Sequence, residues 1–376
     1  MKKLLLITLC ATTLFVACNQ DEKEERKISK RDFSITKENA YNNLFMDSLS
    51  VADYIVDNNI SDSIARRLIS FYNTRNYQYA WFSSNGVSEQ AMGFSSLLNF
   101  IDDTSDVLKK LHKKMHDLIG AEGLKISTSN KSILNTELLL TESLIDYSKT
   151  SFKKGYVKRK EIERFIPFVK ENPIELADSL LAELKRQKKG FADINEPFRL
   201  LSEQLKHYLD LHKEKKWLVI DTDIKSLKMG KKSPAIAAMK QNLSLMGDLP
   251  DEDTTDMYDK NLIEGVKRFQ QRNGFTPDGK LTKNLISLLN ITPEERIKQL
   301  LINMNRMRWL PHEPDGKLIL VNTPAFTLRV MEGKKEVFEM PVVVGKDGHN
   351  TTIFSDLLTT IVFSPYWNIP SSIVKC

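Results

Sequence analysis

Cysteine is scarce in this sequence, with three residues among 376. Two of them, Cys10 and Cys18, lie within or directly after a predicted N-terminal signal segment, which leaves Cys376 in the remaining chain. A disulfide framework or a cysteine-rich metal site requires several thiols in the folded protein. We therefore expect no disulfide, no bound metal and no cofactor.

Several common motifs of catalytic sites are also missing. The sequence has no glycine-rich phosphate loop after a strand, no Gly-x-Ser-x-Gly and no His-Glu-x-x-His, so it does not indicate the reactions that depend on them. Its net charge of +6 is mild and dispersed, which argues against a nucleic-acid partner. We interpret the lysine-rich run at 213–216 as a solvated helix end.

Long apolar runs are limited to the N-terminus, where residues 4–17 follow Lys2 and Lys3. This pattern is typical of a secretory signal, and it is shorter than the roughly 20 apolar residues that span a bilayer. We predict that residues 1–17 are a lipoprotein signal peptide.

The end of this segment, Phe15-Val16-Ala17-Cys18, resembles a bacterial lipobox with Phe in the usual Leu position. We predict that Cys18 is lipidated and holds the protein on a membrane, since acyl chains contribute about 0.8 kcal/mol per buried CH₂. The alternative is a plain signal peptide that is cleaved elsewhere. Residues 18–42 are polar and charge-rich, which predicts a tether.

Residues 43–222 are predicted to form a helical domain. Apolar residues recur there at helical spacing, as at Leu138, Leu144 and Ile145. An aromatic cluster also occurs in this region, and we interpret it as a core plug between helices rather than as a ligand platform. Its members are Tyr77, Tyr79, Trp81 and Phe82.

Residues 223–292 are predicted to form a small module of three short helices. In the second helix, Leu262, Val266 and Phe269 share one face, and Gly274 follows as a typical helix stop. Three helices around a small core are the simplest architecture for this block.

Residues 293–316 are predicted to contain a linker helix, after which the apolar period changes from helical spacing to two. Phe326, Leu328 and Val330 would then face one way, and Glu332-Gly333-Lys334 would turn the chain into a hairpin. A further strand is predicted at 359–363. The predicted fold class is multidomain α+β, in which residues 317–376 form an incomplete, mainly β domain.

Two groups of side chains have spacings that can occur in metal sites. His112 and His116 are four residues apart on a predicted helix, but no third ligand is evident and the neighbouring lysines indicate an exposed face. The acidic run at 251–256 lacks the central Gly and the terminal Glu of a calcium loop. We interpret both as solvated surface.

The C-terminal residues contain no convincing nucleophile. To act as a nucleophile, Cys376 would need a histidine base within hydrogen-bond reach, and the candidate base is His349. Ser371 and Ser372 follow a proline, and nothing marks either as activated.

Four ordered segments resemble the large peptidoglycan L,D-transpeptidases, which combine a helical scaffold domain with a YkuD-type catalytic domain. These segments span 303–311, 321–330, 340–346 and 364–370. The module at 223–292 is similar to a peptidoglycan-binding module through 266–270 and 273–275, followed by Asp278-Gly279. Segments 72–77 and 155–157, with Trp81, resemble the scaffold domain more weakly.

The resemblance implies a reaction. In the family, a cysteine thiolate attacks the carbonyl of the third residue of a tetrapeptide stem and expels the terminal D-Ala, with a histidine as base and backbone N–H groups at the oxyanion. An amine of a neighbouring stem then takes the acyl group, giving a 3–3 cross-link. The family places this cysteine in a Ser-His-Gly-Cys-type motif, which this sequence does not contain.

The resemblance therefore assigns no catalytic residue, and we expect Tyr366, Trp367 and Asn368 to be structural. We interpret the sequence as an inactive, C-terminally truncated L,D-transpeptidase, whose cut sheet would leave an apolar face uncovered. Two alternatives are a non-catalytic peptidoglycan-binding lipoprotein and a helical partner-docking protein. In the first two readings the protein lies on the periplasmic side of the bacterial cell envelope, with peptidoglycan stems and glycan as partners.

Overall fold

The computed structural model describes much of the chain between residues 27 and 366. The described residues are 27–98, 106–119, 126–153, 166, 170–186, 196–221, 227–250, 253, 255–310, 316–333, 335–345, 355–364 and 366. The predicted signal segment, Cys18 and Cys376 lie outside the described residues. No described helix is long and apolar enough to cross a membrane.

Seven helices occupy the first half of the described chain. They are α1 (Ser48–Asp57), α2 (Asp62–Asn73), α3 (Glu89–Leu98), α4 (Asp106–Ile119), α5 (Lys131–Lys153), α6 (Pro173–Arg186) and α7 (Glu196–Glu214). A short antiparallel ribbon, β1 (Phe82–Ser83) and β2 (Gly86–Val87), precedes α3. The N-terminus of α1 is fixed by Asp47, whose carboxylate accepts a hydrogen bond from the Leu49 N–H, as expected of an N-cap residue.

The main core of this helical part is built on the predicted aromatic cluster. Tyr77, Tyr79, Trp81 and Phe82 are all buried, and they pack with apolar residues of α1 to α5. Trp81 stacks on Phe94 of α3 with ring centroids 5.3 Å apart. The interpretation of the cluster as a core plug is confirmed.

The module contains three further helices, α8 (Pro234–Leu245), α9 (Lys260–Arg272) and α10 (Lys283–Leu289). Their apolar faces meet in a separate core in which Leu262, Val266 and Phe269 are at most 1% exposed. Gly274 follows α9 with φ of +76°, a left-handed conformation that glycine adopts without steric cost. The predicted three-helix module is confirmed.

The helix α11 (Pro293–Met307) follows the module. Thr292 and Glu295 form a reciprocal capping box at its N-terminus, which satisfies two backbone donors that would otherwise lack partners. Ile297 and Met304 of α11 are buried in a third apolar cluster, together with residues of α6 and α7.

The C-terminal sheet has three antiparallel strands in the order β3 (Lys317–Asn322), β4 (Thr327–Glu332) and β5 (Lys335–Pro341). Glu332 pairs with Lys335 at the turn, which confirms the predicted hairpin. The multidomain α+β fold class is therefore confirmed.

Two predictions for this region are wrong. Phe326 is not a strand residue, because the Asn322 side chain accepts a hydrogen bond from the Ala325 N–H and turns the chain through a 3₁₀ helix, after which Phe326 has φ of +57°. Residues 359–363 form no strand and are exposed, since no described segment pairs with them.

Candidate functional site

The module contains a buried ammonium group surrounded by acidic side chains. The Lys240 side chain is 0% exposed, and its Nζ lies 2.9 Å from Asp253 Oδ1 and 2.6 Å from Asp259 Oδ2. It also donates to Thr255 Oγ1 at 2.7 Å. A buried ammonium is costly unless it is paired and hydrogen-bonded, and here every donor has a partner.

This arrangement corrects the interpretation of the acidic loop. The side chain of Asp253 is only 11% exposed, so it is not a solvated group, whereas Asp256 pairs with Lys232 at the surface. Burial raises the pKa of Asp253, but the hydrogen bonds from Lys240, Thr255 and Asn261 outweigh it and lower the pKa below its ordinary value. The loop is therefore anchored to α8 through one of its carboxylates.

The motif residues of the module fix its turns. Gln270 Nε2 donates to Asp278 Oδ1 at 2.9 Å, and the Gly279 N–H donates to Gln270 Oε1 at 2.8 Å. The backbone N–H of Lys280 also donates to Asp278, and together these bonds lower the pKa of Asp278 to about 2. Gly279 has φ of +71°, and a Cβ there would lie 2.7 Å from Ile263 Cγ2.

Three large apolar side chains lie on the surface of the module. Met229, Met257 and Phe275 are 54%, 40% and 42% exposed. Met229 and Met257 lie on two segments that pair through their backbones, with the Gly230 N–H donating to the Tyr258 carbonyl at 2.8 Å. An exposed surface of this kind can contact the apolar faces of a glycan or peptide.

The C-terminal sheet presents a continuous apolar face. The strand register places six apolar side chains on one side of the three strands: Ile319, Val321, Leu328, Val330, Phe338 and Met340. Ile319, Val321, Phe338 and Met340 are between 45% and 49% exposed. The predicted uncovered apolar face is confirmed for the described strands.

Most of the site residues discussed from the sequence lie outside the described residues. These are the predicted lipidation site Cys18, the candidate base His349, the possible nucleophiles Ser371, Ser372 and Cys376, and Trp367 and Asn368, which were expected to be structural. Tyr366 is described and is 99% exposed. The described residues contain no group of three or more His, Cys, Asp or Glu side chains that could hold a metal ion.

The two spaced histidines lie on α4, and they differ from each other. His116 is exposed, as predicted, but His112 is half-buried, so the prediction of a solvated surface is wrong for it. Burial lowers the pKa of His112. His112 lies three residues before Met115, which is fully buried, so the two share part of one helix face.

A buried carboxylate in the helical core was missed by sequence reasoning. Glu137 of α5 is 0% exposed and accepts hydrogen bonds from the backbone N–H groups of Ala80 and Trp81 at 2.6 and 3.0 Å, and from the Tyr72 hydroxyl at 3.0 Å. Burial raises its pKa to about 7, although these hydrogen bonds and the charge of Arg75 lower it. The only signal was an acidic residue directly before three consecutive leucines, Leu138 to Leu140.

Three protein-family models match the chain, in the predicted order. A scaffold domain matches residues 66–214, a peptidoglycan binding domain matches 232–289, and an L,D-transpeptidase catalytic domain matches 316–375. No curated protein matches the chain significantly.

The fold and the three family matches together define a multidomain α+β protein of the cell envelope with peptidoglycan as its partner. More narrowly, it has the architecture of the large L,D-transpeptidases, with scaffold, peptidoglycan-binding and catalytic regions in one chain. The matched ranges agree with α2 to α7, α8 to α10 and the C-terminal sheet, respectively.

Proposed function

We propose that this protein binds peptidoglycan through the module and serves the formation of 3–3 cross-links by cysteine acyl transfer. The observation that carries the proposal is the presence of a peptidoglycan-binding match and an L,D-transpeptidase match in one chain. The module has its own filled core and an anchored loop, so it is a folded unit able to present a fixed surface to the wall.

The proposed reaction has two balanced steps. A histidine base removes the proton of a cysteine thiol, and the thiolate forms a thioester with the carbonyl carbon of the third stem residue. The amide bond to D-Ala breaks, and the D-Ala nitrogen takes up the proton from the histidine. A side-chain amine of a second stem then attacks the thioester, forming a new amide and regenerating the thiol. Backbone N–H groups would stabilise each tetrahedral oxyanion.

The family's Ser-His-Gly-Cys-type motif does not occur among the 376 residues. We propose that a polypeptide of these residues supplies wall recognition and framework but performs no acyl exchange. We also propose that acylated Cys18 anchors it to a membrane, with the folded domains on the periplasmic side. The predicted tether at 18–42 is wrong for its C-terminal part, because Ile35 and Ala40 are buried and the Asp32 N–H donates to the Asn73 carbonyl at 2.9 Å.

Co-sedimentation with purified sacculi tests the binding part of the proposal. The protein is expected in the pellet, and Lys240→Ala is expected in the supernatant because the module loses its buried pair. Lys267→Ala is the matched control, because Lys267 makes only an exposed pair with Glu264. A wild-type protein that stays in the supernatant would overturn the proposal.

Mass spectrometry after incubation with a carbapenem tests the catalytic part. We expect no covalent adduct on the 376-residue polypeptide, because a thioester needs an activated cysteine. An adduct on Cys376 would show that the chain performs acyl transfer without the family motif.

A second candidate is a peptidoglycan-binding lipoprotein without catalytic function, and the peptidoglycan binding match at 232–289 favours it. Reading the nucleotide sequence beyond the codon for Cys376 in all three frames separates the two candidates. A downstream Ser-His-Gly-Cys stretch supports the transpeptidase, and a stop codon followed by unrelated sequence supports the lipoprotein.

A further inference from the structure

We propose that α11 is a fixed spacer that sets the separation and orientation of the peptidoglycan-binding module and the transpeptidase sheet, with Trp309 as the positioning residue at its C-terminal end. This inference rests on the proposed function for its biological meaning. If α11 is such a spacer, it is the last helix of the scaffold, although the scaffold match ends at residue 214. The module is then inserted into the scaffold between α7 and α11.

The middle of α11 is part of the scaffold core. Ile297 is 0% exposed and Met304 is 1% exposed, and both pack with Phe198, Leu205 and Leu209 of α7. Burial of apolar side chains of this size stabilises the position of the helix. A helix that contributes buried residues to two neighbours is held in place along its length, so it cannot act as a free linker.

The N-terminal end of α11 begins where the two ends of the module meet. The Asn290 side chain accepts a hydrogen bond from the Ile220 N–H at 2.8 Å and donates to the Ile220 carbonyl at 2.9 Å. Asn242 makes the same two-sided contact with Leu218, at 3.1 and 2.7 Å. The chain that enters the module is therefore tied to Asn290, which lies three residues before α11 begins.

The C-terminal end of α11 is anchored by an aromatic contact. Trp309 is 5% exposed and makes edge contacts with Trp81 and Phe94, with ring centroids 6.2 and 5.8 Å apart. The closest fit is at Gly93, where an added Cβ would lie 2.7 Å from Trp309 Cβ. Only a residue without a side chain at position 93 lets the indole approach α3 so closely.

Two polar contacts accompany Trp309 on the same helix, α3. Arg306 makes a double contact with the Glu89 carboxylate, at 2.8 and 2.9 Å. Further along the chain, the Ser355 N–H donates to Ser96 Oγ at 2.9 Å. Two described positions that flank the C-terminal sheet in sequence, Arg306 and Ser355, therefore both contact the same scaffold helix.

The length of α11 then sets a distance. Its 15 residues rise about 1.5 Å each, which gives a rod of roughly 22 Å. Because both ends are anchored, the rod holds the wall-binding module at a constant distance from the start of β3.

Spin-label distance measurements on the full chain test this proposal. The three native cysteines are replaced by serine, and labels are placed at Asn284→Cys on α10 and Lys335→Cys on β5, two exposed positions. We expect one narrow distance distribution. Gly93→Ala should abolish the narrow peak, since the new Cβ displaces Trp309, whereas an alanine is favourable inside α3 itself.

Gly316→Ala is the matched control, because a Cβ at Gly316 meets nothing within 4 Å, and it should leave the distribution unchanged. Trp309→Ala should broaden the distribution, and Trp309→Phe should restore part of it. Circular dichroism on each variant shows whether the helices remain folded.

A broad distribution in the unsubstituted protein would overturn the fixed spacer. An unchanged peak in Gly93→Ala with folded helices would overturn the role of Trp309. Binding to sacculi is measured separately, so a failure of the proposed function is distinguishable from a failure of the spacer.

Discussion

The helical body (the described residues from 27 to 310) and the C-terminal sheet differ in where they keep their large apolar side chains. Trp81, Leu205 and Phe269 in the three cores of the body are 0% exposed, whereas Phe338 and Met340 of the sheet are 49% and 45% exposed. A sheet with an apolar face needs a second layer to cover it. The body supplies its own layers, and the described part of the C-terminal region does not.

Limited proteolysis should show the largest difference between the two regions. We expect cleavage after residue 316 to be more than about tenfold faster than cleavage within α5 or α7, because few buried contacts oppose local opening of the sheet. Mass spectrometry of the early fragments measures this. Equal resistance of both regions would show that the sheet is as stable as the body.

Lys240→Ala should cause the largest loss of stability within the body. Removing one partner of a buried pair typically costs about 3 to 5 kcal/mol, because Asp253 and Asp259 would be left without their cation. Lys267→Ala should change stability by less than about 1 kcal/mol, as expected for an exposed pair. Denaturant unfolding of both variants compares them, and equal midpoints would contradict the assigned role of Lys240.

The scaffold core and the module should respond to pH with opposite signs. Glu137 has a folded pKa of about 7, above its ordinary value, so its contribution is fully present below pH 4.5 and is lost as the pH rises to 7, by roughly 3 kcal/mol. Asp253 has a lowered pKa, so its contribution is present at neutral pH and is lost in acid.

Glu137→Gln should remove most of the scaffold's loss of stability between pH 5 and pH 7. The dependence that remains should have two opposing parts. Burial also raises the pKa of Glu142, which accepts a hydrogen bond from Tyr54 and contributes with the same sign as Glu137, whereas burial lowers the pKa of His112, which contributes with the opposite sign. Glu203→Gln is an exposed control and should leave the profile unchanged. Melting temperatures across this range measure the effect, and an unaltered profile in Glu137→Gln would refute it.

The smallest expected effect concerns the place where the chain enters and leaves the module. Asn290→Ala should cost about 1 to 3 kcal/mol, because the Ile220 N–H and carbonyl would lose their partners. Asn284→Ala, at an exposed position of the same helix, should be nearly neutral. Thermal unfolding of both variants decides whether the Asn290 contact stabilises the junction.

The sequence predicted the helices, the module and the hairpin because their signals are local. Gly274, the period of Leu262, Val266 and Phe269, and the Glu332-Gly333 turn each depend on neighbouring residues alone. Thr359–Phe363 has the composition of a strand but pairs with no described segment, so propensity was insufficient there.

The buried polar groups could not be predicted, because their partners are distant in the sequence. Lys240 and Asp259 are 19 residues apart in the sequence, and Glu137 and Trp81 are 56 residues apart. Trp309 lies in segment 303–311, which resembles the family in sequence, but its contact with Gly93 becomes visible only when the end of α11 is packed against α3.

The most direct test of the account is sacculus co-sedimentation of the body alone, obtained by proteolytic trimming of the C-terminal region. If the module recognises the wall, the trimmed body should sediment with sacculi as completely as the intact protein does. A trimmed body that stays in solution while the intact protein sediments would contradict it, since recognition would then depend on the C-terminal region.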